Sequence, residues 1–491
     1  EIAEANAVAA QTQKTIAEEN EIKAVESRQL AERNAEEAAR QAAIARQQRL
    51  IADLQRMSAD SSRIEAEQQR LLALMQKDSA EIQRQRAEQF AKEATLLRDE
   101  AINSQMQSLA RSMAIKATQL PDPTQKALLA FQAYTFNQDF KGYPFQSEIY
   151  TALYESISSD RGDQFNVLSG HTASVKKMLN HGTDILTTGS DGMVLRWDMN
   201  ADPISSTVIA RTNQINNSMA ISPNGKWLAI GASNNYIQIY DLTTYEMIRK
   251  VEAHSSEIWH LQFLNNSNLL SSGSDLTIRL ISIEEGFVKT IISTPSISKA
   301  FVPIRNELIV GTDEGKAIVY DLNSNQRLSV LVEKKNDPVS VLALSSDMNM
   351  VAAGFESGTI QLIILDKDST RFQTLPGHTA KVADIKFSTD GAYLISGGYD
   401  RRSFLWNLND LNRQPIKWDD SESFVLSVCM TTDNDRILTG QLNKTIKWYE
   451  RDMDLYAKQI CGFVDRNLTS MEWASFVGNQ YTYVETCRIT K

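Results

Sequence analysis

Histidine, cysteine and paired carboxylates are the side chains that could serve as bases, nucleophiles or metal ligands near neutral pH. The chain holds five histidines and three cysteines. His171, His181, His254, His260 and His378 are dispersed, and none stands in an H-E-x-x-H motif. Cys429, Cys461 and Cys487 form no C-x-x-C pair, which argues against structural zinc and dithiol redox chemistry. The segment Gly311-Thr312-Asp313-Glu314-Gly315-Lys316 hints at a phosphate loop. It lacks the four-residue spacer and the Ser/Thr after Lys, so it reads as a turn between strands. No G-x-S-x-G or calcium-loop pattern occurs, and Asp419-Asp420 reads as a solvated loop pair. These residues predict no catalytic centre, no cofactor and no metal, hence a binding protein rather than an enzyme.

The elements that carry these residues repeat. Each unit has an apolar strand, a second strand ending near Gly, a turn, and a third strand ending in an aromatic or aliphatic residue. That final landmark recurs at Trp197, Tyr240, Ile281, Tyr320, Ile363, Trp406 and Trp448, at intervals of 43, 41, 39, 43, 43 and 42. Strand-rich repeats of this length read as propeller blades.

The units resemble WD repeats over residues 164–450, on the strength of Gly170-His171, Asp191 and Trp197-Asp198 and their positional equivalents. The resemblance implies a buried tetrad of His, strand Ser/Thr, turn Asp and Trp. It falls on His171, Thr187, Asp191 and Trp197 in blade one, and on His378, Ser396, Asp400 and Trp406 in blade six. Blade three has His254, Ser271 and Asp275, with Ile281 replacing Trp. His260 is placed on the first strand of that blade, and His181 in a loop. Blades two, four, five and seven lack the His and are expected to rest mainly on apolar packing; blade five has Ser357 at the turn and Ile363-Ile364 where Trp-Asp would stand. Phe165-Asn166-Val167-Leu168 precedes the first unit where the family places an outer strand. The last unit stops at Glu450 without one, so the N-terminal strand is expected to complete the last blade and remove a sheet edge. Partners of WD propellers dock on the face holding the turns before the tetrad Asp. By position this implies a protein-binding face at Glu257, Trp259, Lys381 and Tyr399.

Upstream, the first Pro is Pro121 and the first Gly is Gly142. An Ala/Glu/Gln/Arg-rich stretch without these breakers reads as helix. A 4-3 spacing runs Leu50, Leu54, Met57, Ser61, Ile64, Gln68, Leu71, Met75, Asp78, Ile82. It predicts a coiled-coil stalk over residues 1–120, about 170 Å long if straight at about 1.5 Å per residue, with a partner helix in a homo-oligomer. The alternative is a helical hairpin turning near Ser58–Ser62, with Ser62 and Glu65 as a capping box. Residues 121–160 read as a helical adaptor: Asp122-Pro123 opens one helix, and Ile149, Leu153 and Ile157 line another. The expected architecture is thus α plus all-β: stalk (1–120), adaptor (121–160), seven-bladed propeller (164–450) and a short helical tail (451–491).

The first 120 residues hold 17 basic and 19 acidic side chains, so most of the formal charge of −10 lies beyond them. That argues against nucleic acid as the main partner. No apolar run reaches the roughly 18 residues of a membrane span, so membrane attachment is expected only through a segment upstream of Glu1. Starting inside a helical pattern without Met, the sequence is expected to lack its natural N-terminus. In the tail, Thr469 and Glu472 are spaced as a capping box. The string Cys461, Arg466-Asn467-Leu468-Thr469, Glu472-Trp473, Thr486-Cys487 resembles the tail after WD repeats in bacterial multidomain proteins, including STAND signalling ATPases. Leu109-Ala110-Arg111 and the segment 127–134 are similar to their linker helices. A Cys461–Cys487 disulfide would add roughly 3 kcal/mol and point to an oxidising compartment; free thiols would point to the cytoplasm. The expectation is a membrane-tethered, periplasmic sensor or assembly platform of a bacterial signalling system. The alternatives are a scaffold subunit of a secretion or motility machine, and the regulatory part of an ATPase or protease.

Overall fold

A computed structural model of the chain describes residues 24–25, 27–48, 61–162, 164–365 and 369–487. The chain forms two compact units, Phe145–Val464 and Glu1–Pro144 with Asp465–Lys491. The division falls inside the expected adaptor and tail, not at their ends.

Phe145–Val464 contains a seven-bladed β-propeller. Each blade is a four-stranded antiparallel sheet of sequential strands, apart from the last. There Val167–Ser169 is the outer strand beside Thr445–Glu450, in register Val167↔Lys447 and Ser169↔Thr445. The ring therefore closes as the repeat pattern required. Asn166 reinforces the seam: its side chain donates to the Trp448 carbonyl (2.7 Å), and its own carbonyl accepts from Trp448 N–H (3.0 Å).

Alternation puts one apolar row of each sheet against the next blade. Between blades four and five, Ile309, Val319, Leu342, Val351, Phe355 and Ile363 form one buried cluster. Each such side chain contributes about 1.5–3 kcal/mol when withdrawn from water. Blade five also has a polar tie. Asp337, in the loop before its first strand, accepts from Ser357 N–H (2.9 Å), Ser357 Oγ (2.6 Å) and Lys334 Nζ (3.0 Å). Carboxylate and hydroxyl have exchanged sides of the turn.

The helices Ser147–Arg161 and Met453–Phe463 belong to this unit and pack on each other, the first against the outer strand of blade six, Ile416–Trp418, and the second against Thr445–Glu450 of blade seven. Tyr150 meets Trp418 and Tyr456 edge-on, and Trp418 stacks on Tyr449 at 4.7 Å. Asp420 is the polar hub. Its carboxylate accepts from Tyr154 OH (2.6 Å), Lys447 Nζ (2.7 Å) and Tyr449 OH (2.9 Å). The expected solvated pair is thus corrected: only Asp419 is exposed, bridged to Lys417, whereas three largely buried donors hold Asp420. Burial, with the Asp420 charge beside it, pushes the Tyr154 hydroxyl pKa far upward.

In the other unit, residues 27–48 and Ser61–Gln119 are helical. They lie antiparallel. Ala38, Ala42 and Arg46 face Met75, Ile82 and Arg86 across a groove of about 380 Å³. Ala24, Arg28 and Ala31 face Phe90, Ala94 and Leu97. One straight helix is thereby ruled out, and the hairpin alternative agrees with this pairing. The small alanine faces let two polar helices approach where a lone one would be marginal. The turn itself, and most of the stalk's heptad seam before Ser61, lie outside the described residues, as do the side chains of Ser62 and Glu65. Along the described seam, Leu71 and Ile82 remain 44% and 48% exposed, so this pairing alone does not bury it.

Asp122 caps the Pro123–Asp139 helix, accepting from Thr124 N–H (2.8 Å). Leu128, Leu129 and Ala133 of that helix, and Ala110, Met113 and Ala117 of Ser61–Gln119, are buried where the two helices pack. Thr469 and Glu472 form the expected capping box at Ser470–Phe476. Arg466 grips Glu472 at 2.8 and 2.9 Å and, with the Thr469 bonds, holds its carboxyl down to about 2. Cys461 and Cys487 are both disulfide-bonded, while Cys429 is the free thiol. No helix of the described residues is long and apolar enough to cross a membrane.

Candidate functional site

The tetrads decide how rigidly each turn is set at the propeller's surface. In blade one, His171 Nδ1 meets Asp191 Oδ2 at 2.8 Å, its Nε2 meets Thr187 Oγ1 at 2.8 Å, and Trp197 Nε1 donates to that hydroxyl at 2.8 Å. Asp191 also accepts from Thr172 and Met193 N–H, tying the loop before the blade to the turn. In blade three, His254 reaches Asp275 (2.9 Å) and Ser271 (2.7 Å), and Arg279 joins Asp275 at 3.0 Å. Thr277 and His254 bonds outweigh burial and hold the Asp275 carboxyl down to about 2. Burial keeps His171 and His254 below the ordinary imidazole value despite their carboxylate partners.

Blade six corrects the expectation at one member. His378 bonds Asp400 (2.9 Å) and Ser396 (2.7 Å), but buried Trp406 Nε1 finds no hydrogen-bond partner among the described residues. Trp406 stacks on Phe404 instead, which also sits edge-on to His378 at 4.7 Å. Glycine before the turn makes room for the imidazole: a Cβ on Gly398 or Gly273 would stand 2.6 Å from Nδ1 of His378 or His254. The remaining histidines, His181 and His260, lie outside the tetrads. His181 ends the strand Val175–His181, not a loop, and bonds the Gly225 carbonyl (3.1 Å). The segment 311–316 is a turn between strands, closed by Gly315 N–H to Thr312 O (3.0 Å).

A shared irregularity builds one depression at the end of the ring. Six of the seven innermost strands shift register between their first and third residues. The residues at the shift are Lys176, Asn217, Trp259, Ser340, Ala383 and Leu426, and all six line one depression at the mouth of the central channel. A bulge re-aims a side chain from the sheet face; repeated around the ring, it makes a mouth. Lys177, Lys299, Lys381 and Tyr399 complete a lining that encloses about 180 Å³. Lys177 and His260 also line the channel beneath, a cavity of about 400 Å³ that Lys386 enters.

Three of the four expected face residues, Trp259, Lys381 and Tyr399, therefore meet in one cavity. Glu257 stands beside it, accepting from Asn217 Nδ2 (2.6 Å), whose Oδ1 takes Lys176 Nζ (2.6 Å). Trp259 is partly exposed and donates to Ser274 Oγ (2.7 Å), with Lys299 5.5 Å from its ring centre. Tyr399 stacks on exposed Phe424 at 4.8 Å, with Lys381 Nζ 5.6 Å from its ring centre. Sequence reasoning missed Lys176, Asn217, Lys299 and Phe424. The signal for the first two was the second position of each repeat's first strand.

Below the mouth, Lys177 bonds Asp384 at 2.8 Å. Burial opposes ionisation of Asp384, but Lys177 and Lys386 outweigh it and keep its carboxyl below the usual range. Burial and the same two lysines hold His260 down to about 3, so its ring is neutral near pH 7. Among the described residues no group of three or more His, Cys, Asp or Glu could hold a metal. The geometry suits recognition by charge and aromatic surface.

Profiles of known families agree with the fold. The WD domain, G-beta repeat, matches residues 162–198, the anaphase-promoting complex subunit 4 WD40 domain matches 193–266, and the Vps8 beta-propeller matches 292–410. The chain is 23% identical over 252 residues to target of rapamycin complex subunit wat1 of Schizosaccharomyces pombe, covering 49% of this chain and 79% of that protein. It is 23% identical over 235 residues to human echinoderm microtubule-associated protein-like 1, covering 47% and 28%. It is 23% identical over 197 residues to WD repeat-containing protein 37 of Xenopus laevis, covering 38% and 39%. The matched part is thus most of wat1 but under two-fifths of the other two.

Proposed function

We propose, taking a seven-bladed propeller of WD repeats as the premise, that this chain is a non-catalytic protein-docking platform whose partner sits on the channel mouth. The observation that carries this reading is the ring of bulges, which turns six side chains, Trp259 among them, toward one mouth beside Tyr399 and Phe424. Partly exposed aromatics on a rigid rim are the usual anchors of protein interfaces. WD propeller relatives named as a target of rapamycin complex subunit and as microtubule-associated protein-like support an assembly role.

The wider setting we propose is a sensor or assembly platform of a bacterial multidomain signalling system. The tail string from Cys461 to Cys487 and the helix around Leu109-Ala110-Arg111 support it. The disulfide-bonded cysteines favour an oxidising compartment such as the periplasm. The apolar residues left exposed on the helical segments, Leu30, Ile44, Leu71 and Leu74, favour a further helical partner or a second copy. Photo-crosslinkers placed singly at Tyr399, Trp259 and the outer-strand residue Phe372, in the native host, test the docking face. Adducts confined to the first two positions are expected; adducts only at Phe372 would refute the reading.

A further inference from the structure

The charge of the mouth is opposite in sign to that of the chain. The protein carries a formal −10. Yet among the described residues every formally charged side chain lining the mouth or the channel is a lysine: Lys176, Lys177, Lys299, Lys381 and Lys386. The nearby carboxylates pair with these lysines, Asp384 from a buried position and Glu356 and Asp313 from partly exposed ones. Glu356 anchors Lys381 at 3.0 Å and Lys299 at 3.8 Å, and Asp384 anchors Lys177 while Lys386 shares the same charge. Five lysines thus share four carboxylates, Glu257, Asp313, Glu356 and Asp384, none of which lines either cavity.

Two of the three rim aromatics carry one of these cations, Lys299 over Trp259 and Lys381 over Tyr399. We infer that the mouth recognises an acidic peptide segment of a protein partner. Its carboxylates would lie over Lys299, Lys381 and Lys176, one acidic side chain would enter the channel toward Lys177 and Lys386, and an apolar residue would rest on Tyr399 and Phe424. Low-dielectric channel walls focus such a field, and ammonium groups on a concave wall attract carboxylates from several directions. Arginine's planar fork, which matches phosphate in two-point contacts, is missing from the lining, and this favours scattered carboxylates over phosphate. The channel's neutral His260 adds no competing charge. This inference rests on the docking-face reading and adds the partner's chemistry to it.

The test selects a library of random displayed peptides on the full chain, then measures the enriched peptides by fluorescence anisotropy. The expected result is enrichment in Asp and Glu, affinity falling with added salt, and binding roughly tenfold or more weaker to K299E/K381E. The Tyr399→Ala variant should weaken the same peptides without changing their salt dependence. The melting profile of each variant checks that the ring is intact, and Lys176→Gln supplies an independent charge change should K299E/K381E fail to fold. Enriched peptides that are neutral, lose affinity with Tyr399→Ala and ignore the lysine changes would overturn the acidic-ligand inference while leaving the docking face standing. Peptides indifferent to all these changes would overturn both. No enrichment, or tighter charge-dependent binding of a single-stranded oligonucleotide used as competitor, would also overturn the inference.

Discussion

Trp197 and Trp406 occupy the same place in two blades and differ in one atom's fate, so replacing each by Phe isolates that atom. Both are buried to a similar degree, 2% and 3% exposed. The ring atoms removed are the same, so the transfer and cavity terms cancel to first order. At Trp197 the change removes a 2.8 Å hydrogen bond to Thr187, a loss of about 1 kcal/mol. At Trp406 it removes a buried N–H that has no partner among the described residues, relieving a desolvation cost of about 1–3 kcal/mol. W197F should therefore be less stable than W406F by about 2–4 kcal/mol, a difference of several degrees in the melting midpoint. Urea unfolding of the whole chain followed by circular dichroism measures it, provided that m-values match. Equal losses, or the larger loss in W406F, would show that both indoles are bonded alike and would refute the assignment of an incomplete tetrad.

Asp420→Ala removes the shared acceptor of Lys447, Tyr154 and Tyr449. Leaving a buried cation unpaired should cost about 3–5 kcal/mol in urea unfolding, whereas Tyr154→Phe should cost about 1 kcal/mol. The His260 imidazole is about 3 in the fold against an ordinary 6.5. The unfolded chain therefore takes up the proton first: the histidine's contribution is whole above about pH 6.5 and declines as pH falls toward 3. His260→Gln should flatten the stability-versus-pH curve by up to about 1.4 kcal/mol per pH unit between pH 6 and 4, and an unchanged slope would contradict the burial of this ring. Cys429 is buried with its thiol pushed up to about 12. A thiol reagent near neutral pH should find no reactive cysteine in the folded protein, one after unfolding without reductant, and three after reduction. Two or more in the unreduced unfolded chain would contradict the disulfide.

The spacing of His171, Thr187, Asp191 and Trp197 lies within one repeat, so the tetrads, the seven units and the strand that closes the ring were legible without coordinates. Local rules also placed the caps at Asp122 and Thr469, because a cap depends only on residues two or three positions away. The missed features join residues distant in sequence. Tyr154 and Asp420 are neighbours only because the ring closes beside the Ser147–Arg161 helix. Polar periodicity could not separate a long helix from a hairpin, since both bury the same faces locally; only the pairing of Ala38 with residues near Met75 decided it. Whether Trp406 reaches its hydroxyl depends on how Phe404 fills the blade. The lysine mouth depended on tertiary structure most of all. A bulge changes the facing of one residue in each innermost strand, and only the circular arrangement of blades brings six such residues to one opening. The chain's own residues thus determined a seven-bladed propeller with its repeats and its closing strand, and the packed ring alone determined where the lysines of its mouth collect.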